Sequence, residues 1–140
     1  MDPVDRKRKL LIAVVVVLLV VPLLTVSSWG LGMIEDFACE HQPAEWAADL
    51  DLDVAVFYGY TLRPDKKKQV CERFLKTFTR SPQRGCAAFL IATAIEADRE
   101  ASRESAAQAY DQFLADYAND PNSKEYFPEA ERAALRLRNR

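Results

Sequence analysis

Histidine is all but missing from this chain of 140 residues: His41 stands alone. Glycine and methionine are scarce too, at four and two residues, and cysteine stops at three. Each shortage removes a class of function. Acyl-transfer catalysis by serine or cysteine needs a base within reach of the nucleophile. The single imidazole sits two positions after Cys39, and no orienting motif surrounds the pair. A structural zinc site takes about four ligands. Cys39, Glu40 and His41 have no Cys-x-x-Cys or His-x-x-x-His companion, so His41 reads as a loop residue and no metal ligand is assigned. The Cys-x-x-Cys-His signal for haem attachment is also lacking. With glycines only at 30, 32, 59 and 85, neither a Gly-x-x-x-x-Gly-Lys nor a Gly-x-Gly-x-x-Gly loop exists. The chain therefore carries no catalytic signature and implies no cofactor.

Basic charge is short as well. Nineteen Lys and Arg face 21 Asp and Glu, and residues 1–28 take four of those bases and two of those acids. The remainder is net acidic, with 15 bases and 19 acids, which excludes the concentrated basic footprint of a nucleic-acid binder.

What the chain has in excess is one apolar run. Residues 10–34 hold twenty-five positions without a formal charge, and the first seventeen are almost wholly Leu, Ile, Val and Ala. At ~1.5 Å per residue a helix of that length reaches roughly 37 Å, enough for a hydrocarbon core of about 30 Å. Arg6, Lys7, Arg8 and Lys9 stand directly before it, and the next base is Arg63. That asymmetry places the N-terminus in the cytoplasm. Trp29 suits the outer membrane–water interface as an anchor. Pro22 is tolerated in a membrane helix. The alternative is a cleaved signal ending near Val26, Ser27 and Ser28, which would release a secreted soluble helical protein. Cleaved signals have shorter apolar regions, about 7–15 residues. The expected organisation is a cytoplasmic basic segment (1–9), a transmembrane anchor (10–34), a linker (35–42) and one exported helical domain (43–140), with the lipid bilayer as the first partner.

The exported part reads as helical. Residues 43–62 are ambiguous. Trp46, Leu50, Val54, Phe57 and Tyr58 have helical spacing, yet Leu50, Leu52, Val54, Val56, Tyr58 and Tyr60 alternate like a strand. The helix is preferred, with Asp49, Asp51 and Asp53 on a solvated face. From Asp65 a stripe of Val70, Cys71, Phe74, Leu75 and Phe78 predicts a second helix, with Lys66, Lys67 and Lys68 solvated at its start. Residues 84–99 are apolar almost all round and predict a central helix. Ala106, Ala109, Tyr110, Phe113, Leu114 and Tyr117 form a third stripe. Residues 119–123 form a turn cluster. Pro128 opens a last helix with Ala130, Ala133, Ala134 and Leu137 on its inner side.

The exported side permits disulfides. Three cysteines allow one bridge at most. Were successive helices antiparallel, Cys71 and Cys86 would differ in level by about seven residues, roughly 10 Å. A bridge needs Cα atoms within about 7 Å. The candidate disulfide is therefore Cys39 with Cys71 or Cys86; the alternative is three reduced cysteines acting as small hydrophobes.

Two stretches repeat each other. Phe74-Leu75-x-x-Phe78-x-x-x-Pro82 matches Phe113-Leu114-x-x-Tyr117-x-x-x-Pro121 at an offset of 39 residues, which Val70 and Ala109 share. Helix, proline turn and helix at such a period mark helical repeat arrays. The run Ala106-x-x-Ala109-Tyr110-x-x-Phe113-Leu114-x-x-Tyr117, then Pro121-Asn122-Ser123 and Pro128-Glu129-Ala130, resembles the tetratricopeptide-like repeats of bacterial envelope proteins. Among these are the outer-membrane β-barrel assembly lipoproteins and the Tol–Pal coordinator. The resemblance is best over residues 106–137. It implies an all-α antiparallel helical-repeat domain in which Ala109 and Phe113 are packing positions of a second repeat helix. It also implies a single-pass protein of the bacterial inner membrane with a periplasmic domain.

Helical arrays offer concave surfaces to peptides or partner domains. The expected function is a membrane-anchored interaction module, an adaptor or accessory subunit of an envelope complex. The alternative is a structural subunit of an integral membrane enzyme, held mainly by its transmembrane helix. Tyr58, Tyr60, Tyr126 and Phe127 are the candidate partner contacts, being aromatic and near the ends of elements.

Overall fold

A computed structural model describes residues 27–42 and 44–139. Its elements are α1 (Ser28–Glu40), α2 (Glu45–Tyr60), α3 (Pro64–Thr77), α4 (Arg84–Ala97), α5 (Arg103–Asp116), a 3-10 helix (Pro121–Tyr126) and α6 (Phe127–Arg138). The described residues contain no strand, and the fold is all-α.

The first described helix starts at Ser28, within the uncharged run. Ser27 is extended (ψ 153°), and its Oγ accepts the N–H of Gly30 at 3.1 Å. A serine hydroxyl in that position satisfies an orphan donor of the first turn and marks a helix start. Leu31 is then buried, and Ile34 packs against the core. Residues 28–34, expected as the outer end of the anchor, thus belong to α1, and residues 35–40 of the expected linker are its last turns. Absence of charge marks both lipid-facing and protein-facing surface, so it could not locate this seam. Residues 10–26 of the expected span lie outside the described residues. Among those described, no helix is long and apolar enough to cross a membrane.

The ambiguous stretch is helical. Ala47, Ala48, Asp51, Leu52, Val54, Ala55 and Tyr58 are the buried positions of α2, the spacing of one helix face. Asp51 is fully buried, against the expected solvated acidic face, while Asp49 and Asp53 are exposed. Pro64 occupies the first turn of α3, where its missing N–H is harmless. Arg84 Nη1 donates to Leu75 O at 2.6 Å, tying the start of α4 to the end of α3.

The repeated motif takes the same role twice. Phe78 and Tyr117 are the residues that close α3 and α5, and their N–H groups donate to Phe74 O and Phe113 O. The rings of Phe74 and Phe78 lie 4.9 Å apart and those of Phe113 and Tyr117 5.7 Å apart.

Each helix packs on the next, and α2 also touches α4. The core has two centres. The first joins α1, α2, α3 and Ala87 of α4 around Phe74 and Cys71. The second joins Phe89 and Ala92 of α4 to Tyr110, Phe113 and the alanines of α6. Opposite sides of α4 serve the two centres, which is why its sequence is apolar all round. Tyr110 donates to Glu96 Oε2 at 2.6 Å, and Arg136 pairs with the same carboxylate, so α4, α5 and α6 share one polar junction.

Candidate interaction groove and a buried acid–arginine cluster

A groove runs along α2, α4 and the 3-10 helix. One part, about 890 Å³, is walled by Asp49, Leu52, Asp53, Val56, Cys86, Glu125 and Tyr126. A second, about 880 Å³, continues from Val56 past Tyr60, Leu62, Lys67 and Leu90. The residues along α2 follow from its register: Asp49, Asp53, Val56 and Tyr60 recur at helical spacing opposite the buried face.

Gly85 sets one wall. A Cβ there would lie 2.7 Å from Ser123 Cβ and 3.2 Å from Asp120 Oδ2, so only glycine lets the 3-10 helix approach the start of α4 this closely. Ser123 is fully buried, and its hydroxyl donates to Asp120.

The groove's rim carries two unusually open apolar side chains. Tyr60 is 82 % exposed and Leu62 88 %. Leu62 sits at φ 56°, the one non-glycine residue with positive φ among those described. Leu62 N–H donates to Gly59 O and Arg63 N–H to Tyr58 O, the paired bonds of a Schellman ending for which glycine is the usual residue.

Of the four aromatic candidates, two belong to the groove. Tyr60 projects from its rim, and Tyr126 lines it while stacking on Phe89 at 5.1 Å. Tyr58 is corrected. It is 3 % exposed and in the first core, with the Arg63 guanidinium over its ring at 5.6 Å, because it shares the inward face of α2 with Asp51 and Ala55. Phe127 is half-buried and meets the Phe113 ring edge-on at 5.7 Å. Trp29 is 69 % exposed at the start of α1. Leu62, Val56 and the exposed Asp49 and Asp53 were missed as groove residues. The one available signal was a leucine in a turn, directly before Arg63-Pro64.

The lysine run is divided. Lys66 donates to Gln69 Oε1 at 3.2 Å and Lys68 faces Glu72, but Lys67 turns inward and donates to Thr93 Oγ1 at 2.7 Å. Burial lowers the pKa of Lys67.

A second polar feature lies behind α2. Arg73 of α3 reaches Glu35 Oε2 at 2.8 Å, Asp36 Oδ1 at 3.4 Å and Asp51 Oδ1 at 3.4 Å. Three helices are joined by one guanidinium. Asp51 Oδ2 and Arg73 Nε have no hydrogen-bond partner among the described residues. Burial raises Asp51 to about 6, against the opposing pull of Arg73. Burial raises Glu35 as well.

All three cysteines are free, so neither expected pairing of Cys39 is formed. Burial raises each thiol, Cys71 to about 12. Groups so raised hold little of the reactive thiolate. Cys39 stands near Arg73 and Asp51, whereas Cys71 and Cys86 both feel Lys67. His41 Nδ1 lies 2.8 Å from Phe37 O, and its ring contacts Phe37 at 4.1 Å and Trp46 at 5.4 Å. Among the described residues no cluster of His, Cys, Asp or Glu is arranged to hold a metal ion.

No protein-family model matches the chain, and neither a curated protein nor a solved structure matches it.

Proposed function

We propose that this chain is a membrane-tethered protein–protein interaction module, an adaptor or accessory subunit of a bacterial envelope complex, and that it binds its partner in the groove of α2, α4 and the 3-10 helix. Leu62 carries the reading. A leucine in the left-handed region costs about 1–3 kcal/mol of backbone strain. It is repaid by no packing, since the side chain is 88 % exposed. Glycine would close α2 without that cost. A partner that covers Leu62 and Tyr60 supplies the missing apolar contact. Asp49, Asp53 and Glu125 farther along the groove favour a segment bearing Lys or Arg.

Three observations support a repeat-like domain. Each helix packs on its successor, α2 reaches α4 across the intervening α3, and Phe78 and Tyr117 end their helices alike. The tether is residues 10–26. Seventeen residues at ~1.5 Å give roughly 25 Å, at the short end of the range for a span.

The test is site-specific photo-crosslinking in native membranes, with the probe at Tyr60 or Leu62 and a control at exposed Gln108 of α5. One discrete adduct from both groove positions, and none from Gln108, is expected. Equal labelling at all three positions would refute a groove-borne partner. Replacing residues 10–26 with an unrelated apolar sequence should leave the adduct in place. Its loss would favour a subunit held by its membrane helix.

A further inference from the structure

Among the described residues, half of the large hydrophobic side chains left exposed lie on one continuous strip. Trp29, Met33 and Phe37 follow one another at i, i+4 and i+8 along α1, 69 %, 55 % and 49 % exposed. Trp46, 47 % exposed, extends the strip onto the first turn of α2. Phe37 and Trp46 have ring centroids 5.8 Å apart, and the His41 ring packs against both. The strip holds both tryptophans of the chain.

The strip cannot turn inward. The other side of α1 is committed: Leu31 and Ala38 are buried in the core, and Glu35 pairs with Arg73 at 2.8 Å. Nor can it move far from the apolar run. Only Ser27 and Ser28 separate Val26 from Trp29. At about 3.6 Å per extended residue, three steps of chain cover no more than roughly 11 Å. With ~1.5 Å of rise per residue, Phe37 lies about 12 Å along α1 from Trp29.

We propose that this strip lies on the bilayer, with α1 resting at the boundary of headgroups and acyl chains and Trp46 carrying the contact onto α2. The proposal rests on the membrane tether of the previous reading and adds a second, peripheral contact that the tether alone does not require. Tryptophan is favoured at that depth because its ring is apolar and its N–H remains wet. Helices that bind membranes by charge are rich in Lys and Arg. Neither α1 nor α2 has a basic residue, and Asp36, Glu40 and Glu45 border the strip. The surface it fits is therefore zwitterionic, bound through apolar burial and interfacial indoles.

The two tryptophans give the test. The full chain is reconstituted into phosphatidylcholine vesicles as the variants Trp29→Phe and Trp46→Phe, each keeping one indole. Quenching by lipids brominated near the headgroup end of the acyl chain is then read for each. A tether by itself brings Trp29 to the interface and predicts nothing for Trp46. Docking predicts that Trp46 also loses roughly half its emission, as an indole about 5–10 Å deep would, and that acrylamide in the water reaches it several-fold less well. Phe37→Glu should restore Trp46 emission while the chain still resists alkaline extraction. Quenched Trp29 beside fully emitting, acrylamide-accessible Trp46 overturns the docking and leaves the tether standing; a protein partner would then be the strip's occupant. Release of the chain by alkaline carbonate, with neither indole quenched, overturns the tether and the docking together.

Discussion

Gly85 offers the sharpest check on the packing that shapes the groove. By helix propensity alone, Gly85→Ala should stabilise α4 by up to about 1 kcal/mol. The contacts say otherwise. The new Cβ meets Ser123 Cβ at 2.7 Å and Ser123 Oγ closer still, and Asp120 Oδ2 stands at 3.2 Å. A Cβ moves only with its backbone, and Ser123 is fully buried and bonded to Asp120. Overpacking of this kind costs about 1–3 kcal/mol. With the propensity gain set against the upper part of that range, the net loss is about 2 kcal/mol. For a domain of ~100 residues, this lowers Tm by roughly 8–16 °C. The assay is thermal unfolding of the full chain in mild detergent, followed by helical circular dichroism.

Two second-site changes separate the contacts. Ser123→Ala removes Oγ and leaves the Cβ overlap, whereas Ser123→Gly removes both. Against its own Ser123 background, Gly85→Ala should cost less with alanine at 123 and least with glycine there. Residues in contact couple in this way, by about 0.5–3 kcal/mol. A Gly85→Ala protein as stable as its parent would refute the close approach of the 3-10 helix. So would equal relief from both changes at 123.

Two further perturbations probe the strained turn and the buried cluster. Leu62→Gly should raise stability by about 1–2 kcal/mol, because glycine takes positive φ without strain, yet reduce the Tyr60 photo-adduct several-fold; stabilisation with undiminished crosslinking would sever the strain from partner binding. Asp51 holds its proton up to about pH 6 when folded, against an ordinary carboxyl value of 3.8. The folded state therefore binds more protons across that window. Asp51's contribution falls as pH rises from about 4 to 6, by on the order of 3 kcal/mol at ~1.4 kcal/mol per unit. Urea midpoints at pH 4.5 and 7.5, taken as the difference between the parent and Asp51→Asn, should show the parent losing ground at the higher pH. A difference that stays flat or runs the other way would refute the burial of that carboxylate.

Helices α3, α5 and α6 were legible because each shows one apolar stripe and a proline or serine at its start. The alternation of residues 50–60 left α2 ambiguous, although the helix was preferred and is what forms, since Leu52, Val54 and Tyr58 satisfy both periods. The deciding residues are Ala47, Ala48 and Ala55, small enough to pass as neutral in a strand pattern. Asp51 was misread because its burial depends on Arg73, 22 positions away on another helix. A local window sees three alternating aspartates and no partner. The seam at Ser27 was written in the sequence as a helix-capping residue, but an unbroken run without charge masked it. In the groove, Tyr60 was identifiable as an aromatic at an element's end. Leu62 was not, because exposure of a leucine follows from backbone geometry rather than composition.

The buried cluster and the groove share one helix, and this ties the N-terminal side of the molecule to its binding face. On its inner side α2 gives Asp51 and Tyr58 to α1 and α3; on its outer side it gives Asp53, Val56 and Tyr60 to the groove. Arg73 binds two carboxylates of α1 and one of α2, so α1 cannot swing without giving up its ion pairs and leaving Arg73 to Asp51 alone. Because Arg73 and Asp36 are partly open to water, the loss is smaller than that of a fully buried pair. A domain hung on a flexible linker would present its groove in every direction. Here the proposed tether ends at Ser27, α1 starts at once, and the cluster fixes α1 to α2. Arg73→Met should therefore loosen α1 while the Phe89–Phe113 core of α4, α5 and α6, which lacks Arg73, stays folded. Hydrogen exchange separates the two. Faster exchange in α1 and the first turns of α2, with unchanged protection in α5 and α6, is the expected pattern. Uniform loss of protection along the chain would show that the cluster supports the whole fold and not the hold of α1 on α2.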